Sequence, residues 1–336
     1  MPLAIDAPRT ASVDQCRLRP PQSAQEALVV GLVNNMPDAA LAATEAQFVR
    51  LLQAAAGGLN VRLRFSCLPE VPRASAAAQD LMHRYWPIEQ LLREPLDALI
   101  VTGMEPVAAR LEEEPYWERL VSLVEFADSQ TLSSIWSCLA AHAAVLHLDG
   151  VRRQRLAHKC CGVFAHEIAA EDALVSGVRA PLCIPHSRWN EVPLAALRAA
   201  GYTILSSTAA SGADTFVKRS RSLMVFFQGH PEYEPTTLLR EYRRDVARFL
   251  RGHQAHYPTQ PHNYFSAAAT RLLSEFEERA RQAPNPELLA SFPALDAEAC
   301  AHGGWASAAA QIYANWLACI AASKRRPRAA AVAAVL

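Results

Sequence analysis

Three features are missing from this chain of 336 residues: paired cysteines, long apolar runs, and a surplus of charge of either sign. The eight cysteines include no Cys-x-x-Cys pair, which argues against both a disulfide scaffold and a thiolate zinc site. Cys160 and Cys161 are adjacent and too close to bridge comfortably, so reduced, mostly buried thiols are expected. No stretch approaches about 18–20 uninterrupted apolar residues, so no membrane-spanning helix is expected. The first residues, MPLAIDAPRT, carry no basic segment followed by an apolar one, and a soluble cytoplasmic protein is the expectation. Lysine plus arginine (33) equals aspartate plus glutamate (33), without the basic excess that tracks a phosphate backbone, so nucleic acid is not expected as a partner. No internal repeat is visible, and the histidines show neither a His-x-x-x-His nor an HExxH pattern, so no metal is expected.

About half of the residues are apolar, and their distribution alternates between two periods. Residues 27–34 (ALVVGLVN) form a short apolar run of the kind buried on both faces of a parallel sheet. Asn34-Asn35-Met36-Pro37-Asp38 ends it, and residues 39–56 read as a helix with Phe48, Leu51 and Leu52 on one face. Strands follow at 59–65, 99–102 and 133–137, with helices at 117–127 and 139–148. Further strands are predicted at 203–206, 214–218 and 223–227, then a long helix at 236–251. This alternation predicts an α/β fold of three layers, flavodoxin-like, with a mostly parallel sheet covered by helices on both faces. The expected organisation is an irregular lead-in (1–25), the α/β domain (26–251), a C-terminal helical extension of the same domain (252–322) with helices near 265–283 and 305–322, and a solvated basic tail (323–336).

Chemistry is suggested by two segments. In IWSCLAAHAAVL, the strand ends at Ser137 and a helix begins almost at once, which places Cys138 on a strand-to-helix elbow at a helix N-terminus. Unpaired N–H groups and the helix dipole stabilise a thiolate there. The amide of Leu139 is a candidate donor to an oxyanion, with Gly103, at the end of an earlier strand, as the second. In MVFFQGHPEYE, an apolar strand runs out at Gln228-Gly229 and His230-Pro231-Glu232 follows. With a rigid proline between them, Glu232 can accept from one imidazole nitrogen while the other faces a nucleophile.

Cysteine at an elbow, followed some 90 residues later by strand-His-x-Glu, resembles the class I glutamine amidotransferase-like superfamily. Val101-Thr102-Gly103 before Tyr116-Trp117, Pro185-His186-Ser187-Arg188 and Gly229-His230-Pro231-Glu232-Tyr233 narrow the resemblance. With Asn35-Met36-Pro37, Gln47-Phe48, Lys159-x-x-Gly162-Val163, Asn263-Tyr264-Phe265 and Asn315-Trp316-Leu317, the pattern is similar to the homoserine O-acyltransferase family of methionine biosynthesis, from about residue 29 to 320. The resemblance implies Cys138 as the acyl-thioester cysteine, His230 as the base and Glu232 as its partner. It also implies Lys159 and Ser187 as substrate contacts and Arg244 as the arginine that holds an amino-acid carboxylate. Glu241, three residues from Arg244 on the predicted helix, shares its face and is placed to orient it or to meet an ammonium group. The implied reaction is ping-pong transfer of a succinyl or acetyl group from CoA to the hydroxyl of homoserine. Acyl-CoA is then a co-substrate, with no tightly bound cofactor, and a homodimer is expected.

Some positions depart from the family. Asp38-Ala39-Ala40 stands where a basic residue commonly follows the Met-Pro turn, Leu139 where Trp is frequent, and His142 where Gln is. The position at which Gly or Glu separates succinyl from acetyl donors falls near Val107, with Glu105 close by. Two other readings keep the triad: acyl transfer to a different amino acid, or a glutaminase-type hydrolase. The elbow Trp136-Ser137-Cys138-Leu139-Ala140 lacks the flanking glycines of the latter. A silent binding protein would not need to retain all three residues.

Overall fold

The computed structural model describes residues 3–8, 27–300 and 304–325. Strands β1 (Leu3–Ile5), β2 (Leu28–Val33), β3 (Val61–Ser66), β4 (Tyr85–Trp86), β5 (Ala98–Val101) and β6 (Ser133–Ser137) are interleaved with helices α1 (Asp38–Ala56), α2 (Ala76–Met82), α3 (Ile88–Leu91) and α4 (Trp117–Gln130), and α5 (Leu139–Asp149) follows β6. Next come β7 (Gln154–Ile168), β8 (Leu182–Glu191), α6 (Leu194–Ala199), β9 (Thr203–Ile204), β10 (Ser206–Thr208), β11 (Gly212–Ala213), β12 (Thr215–Arg219) and β13 (Leu223–Phe227). Helices α7 (Thr237–Leu250), α8 (Ala267–Gln282) and α9 (Trp305–Arg325) complete the described chain.

The main sheet runs β1-β3-β2-β5-β6-β13-β12-β9, with β4 beside β3. It is parallel from β1 to β13, and at that end the reversed strand β12 lies antiparallel to both β13 and β9. Strands β2, β5 and β13 are apolar along their length because both faces are covered, while β6 between β5 and β13 carries three buried serines. On β5, Ala98 and Ile100 face the core formed with α1 and α9, while Leu99 and Val101 face the core formed with α4 and α5. On β13, Val225 and Phe227 divide from Met224 and Phe226 in the same way. The expected three-layer α/β fold is therefore present.

Three expectations are corrected. Within the segment read as an irregular lead-in, Leu3–Ile5 adds an edge strand parallel to β3, held by backbone pairing that needs only three residues. Residues 9–25 lie outside the described ones. In the segment read as a solvated tail, α9 continues to Arg325, and Lys324 donates to Asp97 Oδ2 (2.6 Å) and to the Ala27 carbonyl (2.8 Å). Residues 326–336 lie outside the described ones. The strand expected at 203–206 is two strands, because the chain leaves the main sheet at Leu205 and joins a second, four-stranded antiparallel sheet, β11-β10-β7-β8.

That second sheet was not legible. Its two long strands carry many polar residues and Pro185, and a register shift between Arg155 and Cys160 breaks the period-two pattern. It matters for the site because it brings Lys159, Pro185 and Ser187 to the end of β13. Helix α9 packs beside α1 against the sheet, and its Trp316 indole donates to Ser133 Oγ at 2.8 Å.

Candidate functional site

Strands β2, β5, β6 and β13 are parallel and in register, so their C-terminal ends stop at one edge. Asn34-Asn35, Thr102-Gly103, Cys138 and Gln228-Gly229-His230 all emerge there, the edge at which open α/β sheets place ligands. Cys138 follows Ser137 with φ 53° and ψ −115°, a conformation that costs a non-glycine residue energy. The strain arises because β6 turns into α5 with one residue between them. Two backbone bonds hold it: the Cys138 amide donates to Phe227 O (2.8 Å), and the Cys138 carbonyl accepts from the His142 amide (3.2 Å).

Gly103 closes against this elbow. A Cβ there would lie 3.3 Å from the Leu139 nitrogen and 3.4 Å from Ser137 O, so only a residue without a side chain brings the backbone so near without displacing it. Thr102 steadies the approach, its hydroxyl accepting from the Asn35 amide (2.8 Å) and donating to Gly103 O (3.0 Å). The two expected oxyanion donors, Leu139 and Gly103, are thus neighbours beside Cys138.

His230 is fixed from several sides. Its amide donates to Pro185 O (2.8 Å), and its Nδ1 lies 2.8 Å from Glu232 Oε1, which leaves Nε2 for Cys138. The Cys138 sulfur lies close enough to the ring to act on its charge. Burial alone would push the imidazole pKa down, but Glu232 and the Cys138 sulfur outweigh it, and the pKa is held well above the ordinary histidine value. The side chains of His230 and Glu232 therefore meet, and Cys138 is near the ring. Just before His230, the Gly229 amide donates to Asp214 Oδ1 (2.8 Å). A Cβ on Gly229 would come within 2.6–2.8 Å of Ile184, Asp214 and Pro185 O. Gly229→Ala is expected to lower stability by about 1–3 kcal/mol through overpacking and to displace His230, which thermal melts and activity together will read.

The contacts implied by the resemblance gather along α7, with one change of partner. Arg244 does not pair with Glu241; its Nε and Nη2 reach Asp245 Oδ1 at 3.1 and 3.0 Å. Asp245 Oδ2 meets Lys159 Nζ at 2.7 Å, so one buried carboxylate holds both cations. Burial opposes the charge on Asp245, yet Lys159 and Arg244 bring its pKa below the usual value. Glu241 instead accepts from the Tyr233 hydroxyl (2.6 Å) and from Ser187 Oγ. Asp245 and Tyr233 are functional residues without a clear sequence signal: the first stands among several charged residues on α7, and the second closes the Gly229–Tyr233 motif.

Glu105 is turned to Arg248 on α7 (3.3 Å), and Val107 is 80% exposed. The buried carboxylate of Glu114 holds this loop through the amides of Val107 (3.0 Å) and Ala108 (2.9 Å). His142, near the elbow, is buried against Gln228 Oε1 (3.0 Å), and desolvation pushes its pKa down to about 3, so it is neutral. Gln228 also receives the Val192 amide (2.7 Å) and donates to Ala213 O (2.7 Å), tying α5, β13 and the antiparallel strands together.

His166, His186 and Asp214 form a second buried cluster whose donor atoms are close enough for a metal. Their hydrogen bonds do not suit one. Arg188 Nε donates to His186 Nδ1 (3.2 Å), which puts the ring proton on Nε2, facing Asp214 Oδ1 at 3.4 Å. His166 is engaged at both nitrogens, by Phe164 O and Ser211 Oγ. A guanidinium beside the cluster repels a cation, so these residues read as a brace for the loop carrying His230.

A family model described as homoserine O-succinyltransferase matches residues 17–326. The chain belongs to the homoserine O-succinyltransferase family. A relative of that name from Rhodopseudomonas palustris is 47% identical over 320 residues, covering 94% of this chain and 96% of the relative. One from Bradyrhizobium japonicum is 48% identical over 296 residues, covering 88% and 90%. A third, from Methylorubrum extorquens, is 44% identical and covers 89% of each. Among the described residues no helix is long and apolar enough to cross a membrane.

Proposed function

We propose that the chain is a homoserine O-acyltransferase that moves a succinyl or acetyl group from CoA through a thioester on Cys138. The observation that carries this reading is the elbow cysteine beside an imidazole whose other nitrogen is tied to Glu232. In the first half-reaction the Cys138 thiolate attacks the thioester carbonyl, and the oxyanion is met by the amides of Leu139 and Gly103. The bond from the acyl carbon to the CoA sulfur then breaks, and CoA takes the proton from the His230 imidazolium. In the second half-reaction His230 removes the proton of the acceptor hydroxyl, its oxygen attacks the acyl-enzyme, and Cys138 leaves as thiolate.

Arg244 and Lys159, both held by Asp245, suit the acceptor carboxylate, and Glu241 with Ser187 suits its ammonium group. Relatives named for succinyl transfer favour succinyl-CoA as donor. A cytoplasmic homodimer is part of the reading, to be tested by sedimentation. The central test is intact-mass measurement after mixing the protein with succinyl-CoA or acetyl-CoA alone. A stoichiometric acyl adduct, discharged by homoserine in preference to other hydroxy amino acids, is expected. No adduct with either donor would refute the mechanism, and discharge by another amino acid would reassign the acceptor.

Arg244→Lys keeps the charge and loses the planar fork. It is expected to lower acceptor kcat/KM by roughly 1.5–3 kcal/mol while leaving donor acylation largely intact. Equal loss in both half-reactions, measured by burst kinetics, would remove Arg244 from the acceptor site.

A further inference from the structure

Tyr233 lies between the two halves of the site described above. Its ring is stacked on the His230 imidazole, with centroids 4.2 Å apart and planes inclined by 14°. Its hydroxyl donates to Glu241 Oε1 at 2.6 Å, and the other oxygen of that carboxylate accepts from Ser187 Oγ. The backbone is fixed as well, since the Tyr233 amide donates to His230 O (3.1 Å) and its carbonyl accepts from the Trp305 indole (2.8 Å). One aromatic ring therefore touches the imidazole with its face and the Glu241 carboxylate with its edge.

We infer that Tyr233 is a positioning residue that sets the plane of the His230 ring and couples it to the Glu241 carboxylate where the acceptor ammonium binds. The inference rests on the acyltransferase reading. Glu232 holds one nitrogen of the imidazole but leaves the ring free to swing about that bond. A parallel ring at van der Waals distance removes the swing and keeps Nε2 directed at Cys138. The negative face of the phenol ring also favours the imidazolium that forms when the thiolate does. At the other end, Glu241 already accepts two hydroxyl hydrogen bonds. An arriving ammonium group adds a third donor, and the Tyr233 hydroxyl is a group that must adjust to it. Acceptor binding is thereby felt at the base that activates the acceptor hydroxyl.

Two variants separate the face from the edge. Tyr233→Phe keeps the ring and removes the tie to Glu241; Tyr233→Leu removes the ring while retaining an apolar side chain. Single-turnover acylation by succinyl-CoA and acetyl-CoA, acceptor KM and the pH profile of acylation are the readouts, with circular dichroism and thermal melts to check folding. The Leu variant is expected to acylate roughly three- to tenfold more slowly, the rate equivalent of an aromatic stack, with its alkaline limb at lower pH. The Phe variant is expected to acylate within about twofold of the parent yet to show a several-fold higher acceptor KM. Parental acylation and pH profile in a folded Leu variant, or an unchanged acceptor KM in the Phe variant, would overturn the coupling. If the Leu variant does not fold, the Phe variant still decides. A parent protein that forms no adduct at all would instead refute the acyltransferase reading itself.

Discussion

Cys138→Ser is expected to abolish acyl transfer while leaving the fold intact. Oxygen for sulfur is a small change in volume, but a serine hydroxyl ionises far less readily than a thiol, and the proposed mechanism needs an anionic nucleophile beside His230. A loss of roughly 10³-fold or more in kcat/KM is expected, with no acyl adduct by intact mass on the time scale of the parent. The backbone sharpens this prediction. Cys138 holds φ 53°, a region glycine enters freely, so the elbow stores strain that only a side chain at this position incurs. Cys138→Gly should therefore be inactive and yet more stable by about 1 kcal/mol in denaturant unfolding. Near-parental turnover in the serine variant would remove Cys138 from the chemistry. A glycine variant less stable than the parent would show that the elbow is unstrained.

Much of the main sheet was legible because its strands are buried on both faces and write unbroken apolar runs into the chain: LVVGLV, ALIV, LMVFF. The elbow and the His-Pro-Glu segment were legible for a related reason. Each begins where a buried strand stops, and parallel register brings the stops to one edge. The antiparallel sheet was not, since β7 is half exposed and β8 carries Pro185, with a register shift that hides their alternation. Without that sheet, the roles of Asp214, Pro185 and Gln228 in fixing His230 had no visible signal. Arg244 was found by its place in a motif, but its partner was assigned by helical spacing alone. On α7 the spacing of three residues puts Glu241 and Arg244 on one face, yet the pull of Tyr233 and Ser187 on Glu241 leaves Asp245 to hold the guanidinium.

Glu232→Gln is expected to lower donor kcat/KM by about 10²–10⁴-fold, and its pH dependence identifies the cause. In the parent, burial would lower the His230 pKa, but Glu232 and Cys138 raise it well above the ordinary value of about 6.5. Glutamine removes the charge and leaves the burial, so the pKa must fall. The imidazolium that supports the thiolate then loses its proton at lower pH, and the alkaline limb of acylation moves down. The amide also offers the ring a choice: its oxygen can accept from Nδ1–H as Glu232 does, or its NH₂ can donate to Nδ1. The second arrangement puts the ring proton on Nε2, facing Cys138, where a neutral imidazole cannot act as base. Stability follows the same linkage. A group whose folded pKa is raised contributes stability that is fully present below its unfolded pKa and is lost as pH rises through the folded one. The parent should therefore exceed the Gln variant in thermal stability most below about pH 6.5, and the gap should narrow as the pH rises through the raised His230 pKa. A gap that widens with pH, or an alkaline limb that stays in place, would mean that Glu232 does not hold the charge on His230.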